Sequence, residues 1–210
     1  MNYRNILLRG TTILKKNNLA NADIDAECLL SYSLNKSREN ILLNLDEKVN
    51  LTKFKNYISL IYRRRNKEPI SHITKKRFFW KSDFFINNKV LTPRFETELL
   101  VEHILKIFRF SNRLNMIDLG LGSGCILISI LKEKKHWVGT GVDLSKLAIK
   151  IAKTNAKIQQ VYNRIRFINS DVDKYIDGKY DLVVSNPPYI NKVGYNNLDV
   201  SVKDYEPKLA

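Results

Sequence analysis

Three glycines at alternate positions constrain the fold of this chain more than any other feature. Gly120, Gly122 and Gly124 follow the apolar segment 115–119 and precede the segment 125–132, whose apolar residues have helical spacing. Glycine here allows a tight strand-to-helix turn and lets a ligand approach the backbone closely. The order G-x-G-x-G differs from the dinucleotide fingerprint G-x-G-x-x-G. A plain turn needs one glycine, so the sequence predicts a ligand-binding loop in an α/β domain.

The segments around this loop alternate between strand and helix patterns. Strands are predicted at 115–119, 138–142, 166–169 and 180–185, and helices at 96–108, 125–132 and 145–157. Strands that alternate with helices in this way predict a parallel sheet joined by right-handed crossovers.

The first 67 residues have a different pattern, which predicts a small helical bundle with short connections. Its last helix ends before Pro69, because proline cannot continue a helix. The second helix is expected to begin at Asn21 or Asp23. The residues that this helix is expected to bury are Ile24, Cys28, Leu29 and Leu30.

Aromatic and β-branched residues dominate the next segment, 70–92. They predict a β-hairpin with its turn at Asn87–Asn88, because asparagine tolerates a positive φ. The predicted organisation is therefore an N-terminal helical bundle at 1–68, a β-hairpin linker at 69–92 and an α/β domain at 93–210.

The composition limits the class of protein. Cys28 and Cys125 form no C-x-x-C pair, which argues against a disulfide scaffold or a zinc site, and no metal is expected. No run reaches the roughly 20 apolar residues of a membrane span, so we expect a soluble, cytoplasmic protein with no membrane partner. The net charge of +15 suits a polyanionic partner or reflects a compositional preference for lysine. The basic run 63–65 with Lys67 is the part of the chain best suited to bind a polyanion. The alternative is that it forms the solvated last turn of a helix, where cations favour the helix dipole.

Two aspartates follow strands of the predicted sheet. Asp143 ends the second strand, where an acidic residue can accept both ribose hydroxyls of an adenosine. The alternative is that it caps the helix that begins at Ser145. Asp171 follows the third strand and could accept the amino group of an adenine, or could be an ordinary turn aspartate.

The motif Asn186-Pro187-Pro188-Tyr189 follows the fourth strand. Two consecutive prolines fix the backbone and remove two donors, which leaves carbonyl oxygens as acceptors. The oxygens of Asn186 and Pro187 could hold a planar NH2 group, with Tyr189 stacked on its face. This arrangement suits a nucleophilic nitrogen of an amide or of an exocyclic base amine, whereas a simple Pro-rich turn would not need Asn and Tyr.

The loop 118–124 and the motif 186–189 resemble those of class I SAM-dependent methyltransferases. The chain as a whole is similar, more closely, to the release-factor glutamine methyltransferases (the HemK/PrmC family). The most specific part is Leu-Thr-Pro-Arg-Phe-Glu-Thr-Glu at 91–98, which is similar to the family's L-I-P-R-P-E-T-E. Taken alone, that segment is also typical of a helix start with acidic residues in its first turn.

This resemblance implies a Rossmann-like sheet, S-adenosylmethionine as cofactor and peptide-chain release factors as partners. It implies transfer of a methyl group to the side-chain amide nitrogen (N5) of the glutamine in their GGQ motif, with the N-terminal bundle helping to recognise them. The expected catalytic residues are Asn186, Pro187 and Tyr189. The expected substrate contacts are Asn186, Pro187, Pro188, Tyr189, Arg94 and Glu96. The expected cofactor contacts are Asp118, Gly120, Gly122, Gly124, Asp143, Asp171 and Asn186.

The chain differs from the family at its C-terminal end, because the sheet of the family continues with further strands. The fourth strand is therefore predicted to be an exposed apolar edge of an incomplete sheet. A truncated fragment, a split gene completed by a second, C-terminal chain and an inactive remnant all fit this departure. A rival function is amino-N-methylation of nucleic acid at adenine N6, cytosine N4 or guanine N2. The segment 91–98 and the bundle favour a protein substrate, so nucleic acid is not the expected substrate.

Overall fold

The computed structural model describes residues 1–175, 177–187 and 203–207. The chain divides into two compact units, Met1–Lys75 and Lys76–Ala210. The first unit contains the helices α1 (Tyr3–Lys15), α2 (Ala22–Leu34), α3 (Arg38–Leu43), α4 (Leu51–Arg65) and α5 (Ile70–Thr74). The second unit contains β1 (Lys76–Phe79), β2 (Ser82–Phe85), α6 (Glu96–Ile107), β3 (Asn115–Leu119), α7 (Cys125–Glu133), β4 (Val138–Asp143), α8 (Lys146–Ile158), β5 (Ile165–Asn169) and β6 (Leu182–Ser185).

Short polar side chains set the helix starts in the first unit. Asn2, Ser37 and Asn50 each accept a hydrogen bond from the backbone N–H three residues later and so cap α1, α3 and α4. Helix α2 begins after Asn21, as predicted. The expected burial of Ile24 is wrong, because this side chain is 50% exposed. The buried face of α2 instead follows the helical repeat set by Ala22, Asp25, Ala26, Leu29, Leu30 and Ser33.

The arginine run at the end of α4 makes contacts inside the first unit. Arg64 Nε donates to the largely buried carboxylate of Asp25 at 2.6 Å. Arg63 forms an ion pair with Glu68. Arg65 Nε donates to a side-chain oxygen 48 residues earlier at 3.2 Å. Arg64 is therefore held within the unit, whereas Arg63 and Arg65 remain exposed.

The hairpin β1–β2 packs into the core of the second unit through Phe79 and Phe84, which are buried. The predicted turn at Asn87–Asn88 is wrong, because β1 and β2 are joined by Trp80 and Lys81. Trp80 adopts a φ of +55°, a conformation that the sequence analysis assigned to asparagine. Its indole Nε1 donates to Glu133 Oε1 at 2.9 Å, a long-range contact that holds this unusual turn residue.

The larger sheet is parallel, as predicted, with the strand order β5-β4-β3-β6. The first strand of this sheet along the chain is β3. Strands β4 and β5 follow on one side of β3, and β6 then pairs with β3 on its other side. A crevice forms at such a switch point, outside the carboxyl ends of the central strands. This topology confirms an α/β fold of Rossmann type and places the ends of β3 and β6 side by side.

Strand β6 is an edge strand of this sheet among the described residues, as the sequence predicted. Its Val184 is buried, whereas Val183 on the opposite face is 58% exposed. Within the described residues, no helix is long and apolar enough to cross a membrane.

Candidate functional site

Most of the predicted site residues of the second unit lie at or just after the carboxyl ends of four adjacent parallel strands. Leu119 at the end of β3 pairs with Val142 of β4 on one side and with Ser185 of β6 on the other. Asp143 of β4 pairs in turn with Asn169 of β5. One edge of the sheet therefore carries the glycine loop, Asp143, the turn after β5 and the start of the Asn-Pro-Pro-Tyr motif.

The glycine loop has the open backbone that a ligand requires. Gly120 has a φ of +80°, and a Cβ placed on it would meet nothing within 4 Å. Gly122 has a φ of +54°, and only a backbone oxygen at 3.9 Å lies near its Cβ position. Gly124 differs, because a Cβ there would lie 2.8 Å from Ile128 Cδ1. The first two glycines leave space beside the loop, whereas the third allows α7 and α8 to pack closely.

The carboxylate of Asp143 holds the glycine loop and the start of α8 together. Its Oδ2 accepts the backbone N–H of Gly122 at 2.7 Å, and its Oδ1 accepts the backbone N–H of Ser145 at 2.8 Å. Each carboxylate oxygen has a further lone-pair position that can accept a hydroxyl. The N-cap of α8 is Ser145, whose side chain accepts the backbone N–H of Ala148, so Asp143 is not the cap considered as the alternative. Asp143 holds the backbone just before the helix and keeps the capacity for ribose binding.

Asp118 is a buried carboxyl group at the end of β3, with a side chain that is 1% exposed. Neither of its oxygens has a hydrogen-bond partner of good geometry among the described residues. Burial raises its pKa from 3.8 to about 7, the backbone N–H of Leu127 in α7 lowers it, and the Asp143 carboxylate raises it further. Burial of a carboxyl group without a well-aligned donor is costly, and such a group suits a site that binds a cation. The ammonium group of an amino-acid moiety fits this requirement.

Asp171 lies beyond the end of β5 and caps a short 3-10 turn. Its Oδ1 accepts the backbone N–H of Asp173 at 3.2 Å. The neighbouring Asn169 donates its side-chain amide to the carbonyls of Asp143 and Leu144 at 2.9 and 2.8 Å. Asp171 therefore occupies the turn position considered in the sequence analysis, on the same sheet edge as the Asp143 carboxylate.

Asn186 and Pro187 directly follow β6, beside the glycine loop. Ser185 Oγ donates to the carbonyl of Leu119 at 2.7 Å, which joins the ends of the two central strands. Asn186 is partly buried, and its Nδ2 donates to Thr97 Oγ1 at 3.5 Å. The predicted residues Pro188 and Tyr189 lie outside the described residues.

Arg94 and Glu96 lie where the chain enters α6. Arg94 Nη2 forms an ion pair at 2.7 Å with Glu206, whose side chain is 3% exposed. Glu96 is exposed in the first turn of α6. Arg94 thus has an internal partner, which the sequence analysis did not identify.

Asn155 is the main residue of this region that sequence analysis missed. It is fully buried on α8, and its Oδ1 accepts the backbone N–H of Phe85 at 2.7 Å. Its Nδ2 donates to the carbonyls of Phe85 and Ser123 at 3.0 and 2.9 Å. The side chain therefore ties the hairpin and the glycine loop to α8. A polar residue in phase with Ala148 and Ala152 on an apolar helix face is the signal that could have revealed it.

Comparisons with known proteins agree with this geometry. One family model, described as PrmC N-terminal domain, matches residues 5–74, and another, described as Methyltransferase small domain, matches residues 93–201. A release factor glutamine methyltransferase from Leptospira interrogans is 38% identical over 98% of this chain and 73% of its own length. One from Clostridium acetobutylicum is 36% identical over 100% of this chain and 75% of its own length. A bifunctional methyltransferase from Rickettsia conorii is 34% identical over 99% of this chain and 44% of its own length.

The open glycine loop and the buried acid at the end of β3 are features that fit S-adenosylmethionine, whose amino-acid part carries an ammonium group. Both features lie within the segment that the methyltransferase family model matches. The chain belongs to the release factor glutamine methyltransferase family and is an S-adenosylmethionine-dependent methyltransferase.

Proposed function

We propose that this protein transfers a methyl group from S-adenosylmethionine to the side-chain amide nitrogen (N5) of the glutamine in the GGQ motif of peptide-chain release factors. The observation that carries the proposal is the position of Asn186 and Pro187 at the end of β6, next to the glycine loop after β3. The names of the relatives from Leptospira interrogans and Clostridium acetobutylicum support the same substrate.

The cofactor residues have separate roles in this proposal. Gly120 and Gly122 admit the methionine part of S-adenosylmethionine, and Asp118 faces its ammonium group. Asp143 accepts the ribose hydroxyls, and Asp171 accepts the adenine amino group. S-adenosylmethionine supplies a methyl group on a positively charged sulfur, which is a strong electrophile.

The substrate residues orient a weak nucleophile, because the lone pair of an amide nitrogen is delocalised. Asn186 Oδ1 and the Pro187 carbonyl accept the two amide hydrogens and direct the nitrogen towards the methyl group. In this proposal Pro188 contributes no backbone donor, and Tyr189 is the residue that would stack on the amide plane. The N–C bond forms as the C–S bond breaks, and the amide proton then leaves to water. Alignment and exclusion of water account for the rate enhancement in this scheme.

Mass spectrometry of the GGQ peptide tests the proposal directly. The purified protein is incubated with S-adenosylmethionine and an unmethylated release factor, and a gain of one methyl group on the glutamine is expected. Asn186→Ala is expected to lower the rate by about 100-fold or more, as loss of a positioned acceptor does. Asn163→Ala, at an exposed residue of the second unit, is the matched control and is expected to retain the rate.

The other outcomes decide between the rival functions. Methyl transfer to DNA or RNA, but not to the release factor, would assign the protein to the nucleic-acid methyltransferases. Absence of transfer to either substrate, beside an active relative under the same conditions, would identify an inactive remnant.

We also propose that the first unit recognises the release factor in the cytoplasm. This unit presents large exposed apolar side chains, of which Leu43 is 83% and Leu51 is 66% exposed. Such side chains on a small bundle suit a protein contact. The KM for an intact release factor should be well below that for a short GGQ peptide, and Leu43→Ser should raise only the former. Equal KM values for the two substrates would contradict this role.

A further inference from the structure

The segment that enters α6 is fixed by contacts with distant parts of the second unit. Arg77 Nε, on β1, donates to the carbonyl of Pro93 at 3.1 Å. The side chain of Arg94 pairs with Glu206, 112 residues later. The next contact is made by Thr97, which accepts a hydrogen bond from Asn186. Asn186 of the Asn-Pro-Pro-Tyr motif and Glu206, which follows the motif, therefore both contact one short segment, 93–97.

The ion pair of Arg94 and Glu206 is the shortest of these contacts. The Glu206 side chain is 3% exposed and lies 2.7 Å from Arg94 Nη2. Thr92, which is 5% exposed, also hydrogen-bonds to Glu206 through its side chain and its backbone. A carboxylate that is buried with a charged partner and further donors is held firmly, because loss of one partner leaves the other uncompensated.

A backbone hydrogen bond connects Arg94, which the ion pair holds, to Thr97. The carbonyl of Arg94 accepts the N–H of Thr97 at 3.1 Å in the first turn of α6. Thr97 Oγ1 in turn accepts from Asn186 Nδ2 at 3.5 Å. That distance is long for a hydrogen bond, but contacts in a catalytic site often shorten only when the substrate is bound.

The contact directs the Nδ2 end of the Asn186 carboxamide towards Thr97. A carboxamide can rotate so that either its oxygen or its NH2 group occupies a given position. With Nδ2 directed to Thr97, Oδ1 remains to accept a hydrogen from the substrate NH2 group. In the reversed orientation the NH2 group of Asn186 would face the NH2 group of the substrate, and two donors facing each other would oppose binding of an amide substrate.

We propose that Thr97 is a positioning residue that orients the Asn186 carboxamide for the methyl acceptor, and that the Arg94–Glu206 ion pair holds Thr97 in place. The proposal deepens the function proposed above, since it rests on the role given there to Asn186. It predicts that the Thr97 hydroxyl matters for turnover rather than for cofactor binding.

The first experiment compares Thr97→Val with Thr97→Ser in the full chain. Valine keeps the shape of threonine but removes the hydroxyl, whereas serine keeps the hydroxyl. Thr97→Val is expected to lower kcat for release factor methylation by about tenfold, the effect of about one hydrogen bond. It should leave the Kd for S-adenosylmethionine and the Tm nearly unchanged. Thr97→Ser should restore most of kcat. Thr154→Val, on the exposed side of α8, controls for the substitution itself.

A spectroscopic readout tests the contact without any turnover. The side-chain NH2 signals of Asn186 in a 15N–1H spectrum are assigned by their loss in Asn186→Ala. They are expected to shift in Thr97→Val and in Glu206→Gln, and to stay near their original positions in Thr97→Ser.

The two readouts separate the two proposals. Unchanged Asn186 signals in Thr97→Val, or an unchanged kcat in an active protein, would overturn the role of Thr97. Shifted signals in a protein that does not methylate release factors would support the positioning contact and contradict the proposed function. Shifts in Thr97→Val but not in Glu206→Gln would overturn the part assigned to the ion pair.

Discussion

Replacement of Asp118 by asparagine should make the free protein more stable and the cofactor complex weaker. The carboxyl group is buried, and its pKa is raised from 3.8 to about 7, chiefly by burial. Such a group binds its proton more tightly in the folded state than in the unfolded state. The contribution of Asp118 to the free energy of unfolding is therefore fully present below the unfolded pKa of 3.8. It is lost as the pH rises from 3.8 towards the folded pKa of about 7. That shift corresponds to a loss of about 4 kcal/mol above the folded pKa.

Asparagine has a similar shape and carries no charge, so Asp118→Asn avoids this loss. The variant should differ little from the wild type in free energy of unfolding near pH 4. Its advantage should grow to a few kcal/mol at pH 8, with about 4 kcal/mol as the upper value. Urea unfolding without cofactor at both pH values measures the difference. Asp173→Asn, at an exposed residue of the same unit, is the matched control and should show no such growth.

Cofactor binding should respond in the opposite direction. The Kd of Asp118→Asn for S-adenosylmethionine should rise by at least about tenfold, because the buried partner of the ammonium group is lost. A stability difference that is the same at pH 4 and pH 8 would refute the argument about a buried, unpaired carboxyl group. An unchanged Kd would refute its assignment to the ammonium group.

Other substitutions separate packing from binding. Asn155→Ala should lower the free energy of unfolding by about 3 kcal/mol in urea and also raise the Kd for S-adenosylmethionine, because it removes buried hydrogen bonds to the hairpin and the glycine loop. Gly120→Ala should mainly raise that Kd in a calorimetric titration, since the Cβ position lies in open space, with about 1 kcal/mol lost to the φ of +80°. Gly124→Ala should instead lower the urea midpoint by the equivalent of about 1–3 kcal/mol, since its Cβ would lie 2.8 Å from a methyl group of α7. Gly10→Ala would place a Cβ 1.9 Å from the Tyr57 hydroxyl oxygen and should lower the Tm strongly; Tyr57→Phe, which removes a buried hydroxyl without a described partner, should recover part of that loss.

The parts of the fold that rest on local patterns could be predicted from the sequence. Strand β3 was predicted at 115–119 and is observed over the same residues, because an apolar run that ends in glycine is a strong local signal. The start of α2 was predicted at Asn21 or Asp23, and the helix begins directly after Asn21. The hairpin turn could not be placed in this way. Its Trp80 takes a positive φ that a contact with Glu133, 53 residues later, helps to hold.

The missed parts of the candidate site depend on long-range contacts. The partner of Arg94 is separated from it by 112 residues. Asn155 contacts Phe85 across 70 residues. Hydrophobic periodicity shows which face of an element is buried but does not identify the partner of a polar group on that face. The sequence therefore predicted the strand ends of the site and missed the side chains that fix their surroundings.

Asp118 and Asp143, two acidic residues of the proposed cofactor site, differ in their contacts in the free protein, and this difference has a consequence for binding. Asp143 is bound by two backbone N–H groups, so its contacts are present before any ligand arrives. Asp118 has no well-aligned donor among the described residues, and the backbone N–H of Leu127 offsets only part of the cost of its burial. A cation beside Asp118 removes that cost and favours its charged form. Binding of S-adenosylmethionine should therefore release a proton below about pH 7, and its affinity should rise with pH up to that value. Titration calorimetry in buffers of different ionisation enthalpy measures this proton, and an affinity that is constant from pH 5 to pH 8 would contradict the role of Asp118.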